Sequence, residues 1–168
     1  DEILERINQY YGMGEETLES LIEELSAEGD VNVLTTMAGH VVDLSDIDSA
    51  VNAPPIVKLA NLILLTAVEE RASDIHIEPF ENMLRIRYRV DGVLREMSSP
   101  PKNMQVGLIS RLKVLANLDI AEQRRPQDGR INLSMSDNRE VELRVTSVPT
   151  VHGESIVMRV LDKALMQM

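Results

Sequence analysis

Residues 73–97 read Ser-Asp-Ile-His-Ile-Glu-Pro-Phe-Glu-Asn-Met-Leu-Arg-Ile-Arg-Tyr-Arg-Val-Asp-Gly-Val-Leu-Arg-Glu-Met, and the alternation in this stretch decides the fold. Ile75 and Ile77 point one way, and Asp74, His76 and Glu78 point the other, the period-two pattern of a strand with one buried face. Pro79 ends that strand because it cannot donate to a ladder. Leu84, Ile86, Tyr88 and Val90 then alternate with Arg85, Arg87 and Arg89. Asp91-Gly92 follows, a dipeptide that tolerates positive φ at both turn positions, so a two-residue hairpin is predicted. Its register pairs Val90 with Val93 and Arg87 with Glu96.

Working outward, Asn52-Ala53-Pro54-Pro55 breaks the chain, and Pro55 suits the first turn of a helix over Ile56–Arg71. Leu59, Ala60, Ile63, Leu64, Ala67 and Val68 face inward, and the helix is apolar on nearly all sides, which predicts deep burial. Downstream, Pro100-Pro101 is a second break. Asn103 is expected to cap a helix reaching about Asn117, with Val106, Ile109, Leu112 and Leu115 buried. Residues 119–130 read as a polar loop. Ile131–Met135 and Val141–Val148 form a hairpin around Asp137-Asn138, and Ser155–Leu161 is a last strand. The expected fold is α+β: a mixed, largely antiparallel sheet covered by helices. A small helical segment precedes it, with helices over 1–11 and Glu15–Glu28 and Ser45 capping a short one. The stripe Leu18, Leu21, Ile22 and Leu25 needs a partner surface.

Charge divides the chain near residue 50. The net charge is −11, yet residues 1–50 hold 13 acidic residues and one basic one, Arg6, whereas residues 51–168 hold 15 acidic and 16 basic. Residues 1–50 are therefore read as an acidic segment or linker and 51–168 as the main domain. Twelve of those 16 basic residues are Arg, the better planar ligand for phosphate and carboxylate. Aromatic residues make up 2%, with Phe80 the single Phe and no Trp, so stacking platforms for bases are missing and nucleic acid is not an expected partner. There is no Cys, which excludes disulfides and thiolate metal sites. No apolar run reaches the roughly 18 residues of a membrane-spanning helix.

Three clusters could carry chemistry. Arg85, Arg87 and Arg89 share one strand face, where like charges at period two call for anionic partners. Those partners are either internal, with Glu96, Asp74, Glu78 and Glu142 available, or a phosphate. Arg124, Arg125 and Arg130 crowd a turn built by Pro126 and Asp128-Gly129, a pattern that suits a binding loop, a subunit contact or a solvated loop. His76 and Glu78 share a face but are too few ligands for a metal, and none is expected. No Gly-Lys dipeptide occurs, so the chain has no P-loop, and no complete catalytic constellation is present.

Four strings in order resemble the second amino-terminal domain of type II secretion and type IV pilus assembly ATPases, the GspE/PilB group. They are APPIVKLANLILLTAVEERASDIHIEP (53–79), LRIRYRVDGVLREM (84–97), LDIAEQRRPQDGRI (118–131) and RVTSVPTVHGESIVMRVLDK (144–163). The resemblance implies a PAS-like domain tethered to a RecA-like motor domain that lies beyond this chain. It implies a cytoplasmic hexamer peripheral to the bacterial inner membrane, with its own motor domain, neighbouring subunits and inner-membrane platform proteins as partners. ATP and Mg would belong to the full-length parent, an ATPase, and no cofactor to this non-catalytic part. By the same resemblance Arg87 reaches toward the nucleotide phosphates and Lys102 lies near them. Arg85, Arg89, Arg124, Arg125 and Arg130 would serve interfaces or local electrostatics. The expected function is to couple ATP turnover to type II secretion. The alternatives are the same role in pilus assembly, or a pure docking module in which Glu96 satisfies Arg87.

Overall fold

The computed structural model describes residues 22–23, 42–43, 54–135 and 138–163. In chain order the elements are β1 (Val42–Asp43), α1 (Pro55–Glu69), β2 (Asp74–Pro79), β3 (Leu84–Val90), β4 (Val93–Glu96), a 3-10 turn (Lys102–Met104), α2 (Gln105–Leu115), β5 (Gln127–Ser134), β6 (Glu140–Thr150) and β7 (Gly153–Asp162). The strands make one sheet in the order β1-β5-β6-β7-β2-β3-β4. The β1–β5 contact is parallel and every other pairing is antiparallel. The fold is α+β.

The alternation becomes a two-faced sheet. Leu84, Ile86, Tyr88 and Val90 are buried, and the arginines between them are not. Asp91 and Gly92 both have positive φ, 51° and 79°, the geometry whose twist matches the flanking strands. The register is the predicted one, Val90 opposite Val93 and Arg87 opposite Glu96. Helix α1 opens at Pro55 and buries residues on almost every side. Tyr88, reaching from the sheet, donates its hydroxyl to the Ile63 carbonyl at 2.7 Å. Burial, helped by the charge of Glu70, pushes that phenol well above its ordinary pKa.

Helix α2 departs from expectation at its start. Asn103 does not cap it; the helix is entered through the 3-10 turn, and Met104 holds the cap position without a side-chain bond. Ile109, Leu112 and Leu115 are buried as expected, together with Met104 and Leu108, while Val106 is 72% exposed.

The expected loop over 119–130 is shorter than that, because β5 begins at Gln127 and pairs Gln127 with Ser147. Asp128 and Gly129 are therefore strand residues rather than turn-makers. At Gly129 a Cβ would lie 2.3 Å from the Ala116 carbonyl oxygen, so the close approach of β5 to the end of α2 requires glycine. The Gln127 side chain bonds the Asp119 backbone in both directions and donates to the Glu122 carbonyl at 3.1 Å. The Asn138 turn has φ 61°; Asp137, Asn52, Ala53 and Ser45 lie outside the described residues.

Of the helices expected over 1–11 and 15–28, only Ile22 and Glu23 fall among the described residues, in helical conformation. Ile22 is buried and joins the main core cluster. Val42 and Asp43 pair with Leu133 and Ser134. Parts of the acidic segment thus pack on the domain.

One buried ion pair ties the layers together. Lys113, 1% exposed, donates to both carboxylate oxygens of Glu154 on β7, at 3.0 and 3.1 Å, and to the Glu122 carbonyl at 2.7 Å. Such a pair adds little net stability over an apolar substitute, but losing one partner strands the other charge. Lys113→Met is expected to cost about 3–5 kcal/mol in urea unfolding, and the double variant Lys113→Met/Glu154→Leu to recover most of it.

Candidate functional site

The sheet face turned away from the helices carries the charged residues, and its registers show which of them are neighbours. On β2 and β3 the partners are Asp74 with Arg89, His76 with Arg87 and Glu78 with Arg85. Glu78 is the hub. It accepts from Arg85 Nη2 at 2.8 Å on one oxygen and from Arg87 Nη2 at 2.6 Å on the other, with His76 Nδ1 at 3.7 Å. Partial burial alone would raise its pKa. The hydrogen bonds and charges of Arg85 and Arg87 outweigh that and hold the carboxyl below the usual carboxylate range. Arg85 also lies 4.5 Å over the Phe80 ring.

Arg87 is therefore held inside the domain, though not by the residue opposite it. Its Cα faces Glu96, but its guanidinium turns to Glu78, diagonally across β2. Glu96 is exposed on the edge strand, where water competes for it. Glu78 is half-buried on a central strand, where a charged hydrogen bond is stronger. Lys102 is likewise engaged, donating to Gln105 Oε1 at 2.5 Å and to the Phe80 carbonyl. Arg124 and Arg125 lie exposed just before β5, and Arg124 lines a cleft of about 340 Å³ with Val106, Gln123 and Thr150. The structure brings neither of them into the arginine cluster on β3.

A second cluster emerges from the register across the whole sheet. Arg130 on β5 is opposite Arg144 on β6, Arg144 is opposite Arg159 on β7, Arg159 is opposite Asp74 on β2, and Asp74 is opposite Arg89. Four arginines and one carboxylate form a single row. Adjacent strands are about 4.8 Å apart, so each neighbouring Arg pair costs about 1 kcal/mol even with the screening of water. Arg89 is drawn back to its own hairpin, donating from Nη1 to the Gly92 carbonyl at 3.1 Å. Arg144 and Arg159 stand out from the surface, 64% and 71% exposed. Arg159 meets Asp74 only through Nε, at 3.3 Å, and Arg144 comes no closer than 3.9 Å to Glu142, also through Nε. Arg130 has no ion-pair partner among the described residues. Three guanidinium groups thus stand side by side on the outward face, with Asp74 at the Nε of the third.

A family model described as "Type II/IV secretion system protein" matches residues 49–168. The chain belongs to that family. It is 47% identical over 162 residues to the type II secretion system protein E of Xanthomonas campestris, covering 96% of this chain and 27% of that protein. It is 41% identical over 166 residues to the type IV pilus assembly ATPase PilB of Myxococcus xanthus, covering 99% and 28%. It is 44% identical over 158 residues to the type II secretion system ATPase E of Vibrio cholerae, covering 94% and 31%. The chain thus spans less than a third of the length of these secretion-family relatives. Among the described residues no helix is long and apolar enough to cross a membrane, and no group of three or more His, Cys, Asp or Glu could hold a metal ion.

In this secretion-family domain the row adds Arg144 and Arg159 to the residues that the sequence singled out. Each lies outward between apolar neighbours, Leu143 and Val145 for the first and Met158 and Val160 for the second. Recognising Val151-His152 as a two-residue turn would have found them, since it sets Thr150 opposite Gly153 and, six residues further along each strand, Arg144 opposite Arg159. At the Glu78 hub, a depressed carboxyl pKa contributes stability that is full above the unfolded value of about 4.3 and is lost as pH falls through the folded value. Glu78→Gln is expected to flatten the acid side of the melting-temperature profile, measured from neutral pH to about pH 3.

Proposed function

We propose that this chain is the amino-terminal, non-catalytic part of a hexameric secretion ATPase, and that its open sheet face meets the phosphates of ATP held mainly by a motor domain outside this chain. The observation that carries this reading is the row Arg130–Arg144–Arg159, three outward guanidinium groups of which only Arg159 has a close acid, Asp74 at its Nε, on a chain whose net charge is −11. Guanidinium forks fit phosphate oxygens two at a time, and an arginine supplied from a neighbouring domain stabilises charge that develops in phosphoryl transfer. The residues fit ATP in this limited sense: they can bind and orient its phosphates. The described residues carry no acidic cluster for Mg, so in this reading the metal belongs to the motor domain of the parent. When bound, ATP would supply the phosphoryl group that the motor domain transfers to water.

In this reading the phosphate contact passes from Arg87 to the row, because Arg87 is already bound to Glu78. Arg85, Arg87 and Glu78 brace the face, and Lys102 fixes the 3-10 turn. The parent would work in the cytoplasm against the inner membrane, with its own motor domain, neighbouring subunits and platform proteins as partners. The relatives include both type II secretion and pilus proteins, and type II secretion is the assignment we favour, since two of the three relatives described carry that name.

In the assembled full-length protein, Arg144→Ala and Arg159→Ala are each expected to lower ATP turnover by about tenfold or more, and Arg87→Ala to lower it less. Light scattering would establish that the oligomer survives. Unchanged turnover in both row variants would defeat the proposal and leave a docking role for this face.

A further inference from the structure

The row contains one carboxylate, and its geometry is specific. Asp74 is 14% exposed, set below the guanidinium it meets. Its Oδ1 accepts from Arg159 Nε at 3.3 Å. Its Oδ2 accepts from the Ser73 hydroxyl at 2.9 Å and lies 3.5 Å from Arg89 Nε. Ser73 in turn is tied at both backbone groups, its N–H donating to the Arg89 carbonyl at 2.8 Å and its carbonyl accepting from the Val160 N–H at 2.9 Å. The acid is thus anchored between β3 and β7.

Two consequences follow from the atoms used. A carboxylate that engaged both terminal nitrogens of Arg159 would consume the fork that binds phosphate. Asp74 takes the Nε edge instead and leaves Nη1 and Nη2 unpartnered among the described residues. Arg159 also stands directly opposite Arg144. Without a fixed negative charge on its far side, repulsion would drive the exposed Arg159 head along the strand and out of the row. Asp74 opposes that repulsion from the side away from Arg144, as the order Arg144–Arg159–Asp74 across three strands requires.

We infer that Asp74 is a positioning residue for the phosphate-facing row: it holds Arg159 by its Nε edge so that the Nη pair is presented, in line with Arg144, to phosphate oxygens. This inference rests on the reading of the row given under Proposed function. The acid touches no phosphate itself, since its oxygens would repel one. Its effect is on orientation, by limiting the freedom that Arg159 must give up when it binds.

The test is a double-mutant cycle in the full-length ATPase, read by the equilibrium Kd for a slowly hydrolysed ATP analogue and by KM and kcat for MgATP. Asp74→Ala is expected to weaken analogue binding and raise KM by about tenfold, the loss expected for one charged, forked contact. In an Arg159→Ala background, Asp74→Ala is expected to add no further loss. A purely structural role would instead lower the melting temperature and weaken binding equally in both backgrounds. Asp74→Ala that leaves binding unchanged or makes it tighter, or losses that simply add, would overturn the inference while Arg159→Ala still shows its own defect. If Arg159→Ala binds and turns over ATP normally, the phosphate-facing reading itself falls. Should Asp74→Ala fail to fold, Asp74→Asn, which keeps a carbonyl acceptor for Nε, carries the same cycle.

Discussion

Slip any central strand of this sheet by one residue and all its side chains change faces. The buried set Ile75, Ile77, Leu84, Ile86 and Tyr88 would meet water, and five or more charged groups would enter the core. Two tight turns hold the register against that: Asp91-Gly92 between β3 and β4, and Val151-His152 between β6 and β7, where Gly153 has φ 126°. Because apolar burial fixes the inward parity, the outward parity is fixed too. The arginine row is a by-product of the register that the core demands, since Arg130, Arg144 and Arg159 come from three successive strands and align only when both ladders between them are right.

The two arginine clusters differ in how their charge is balanced. On β2 and β3, Glu78 serves Arg85 and Arg87 together, and both guanidinium groups lie half-buried against the sheet. A buried or half-buried cation needs such a partner, because desolvation without one is costly. The heads of Arg144 and Arg159 remain in water and can tolerate a deficit of acids. That tolerance has a limit, since like charges on neighbouring strands still repel. An internal fold would gain by replacing one of them with Thr or Val, as the next outward row does at Thr146 and Val157. Keeping three arginines there makes physical sense when an anion arrives from outside.

Much of this was legible in the sequence. Strict alternation and the Asp-Gly turn give β2, β3 and β4 and the pairing of Val90 with Val93. The apolar run after Pro55 gives α1. Where the reading went astray, a longer-range contact overrode a local signal. Pro126-Gln127-Asp128-Gly129 has turn chemistry, yet the ladder to β6 and the close approach of Gly129 to Ala116 make Gln127 onward a strand. Val106 lies three residues before Ile109, but the buried arc centres on Leu108 and Leu112, and Val106, two residues before Leu108, falls on the far side of the helix. Arg87 lies opposite Glu96 as the register predicts, but a long side chain reaches diagonal neighbours, and among the internal acids the sequence offers the half-buried Glu78 wins over the exposed Glu96. Arg144 and Arg159 escaped because each is an ordinary outward residue in its own strand. Only the register between strands makes them a pair.

The exposure of the row bears on how it could act. Small-molecule sites are concave and enclose most of the ligand, whereas the open side of a sheet can offer contacts from one direction only. Three exposed guanidinium groups would bind phosphate weakly in dilute solution, because both partners keep most of their water and salt screens the attraction. The same groups gain strength when a second surface closes over the ligand and excludes that water. In the proposed reading this makes the arginine row conditional: it contributes little to capture and much to the closed state, so nucleotide would favour closure by the difference between the two. A face that bound tightly while open would give that difference away. An exposed row with one acid holding Nε, rather than a deep and fully paired pocket, is the arrangement that lets binding free energy appear as movement of one domain against another.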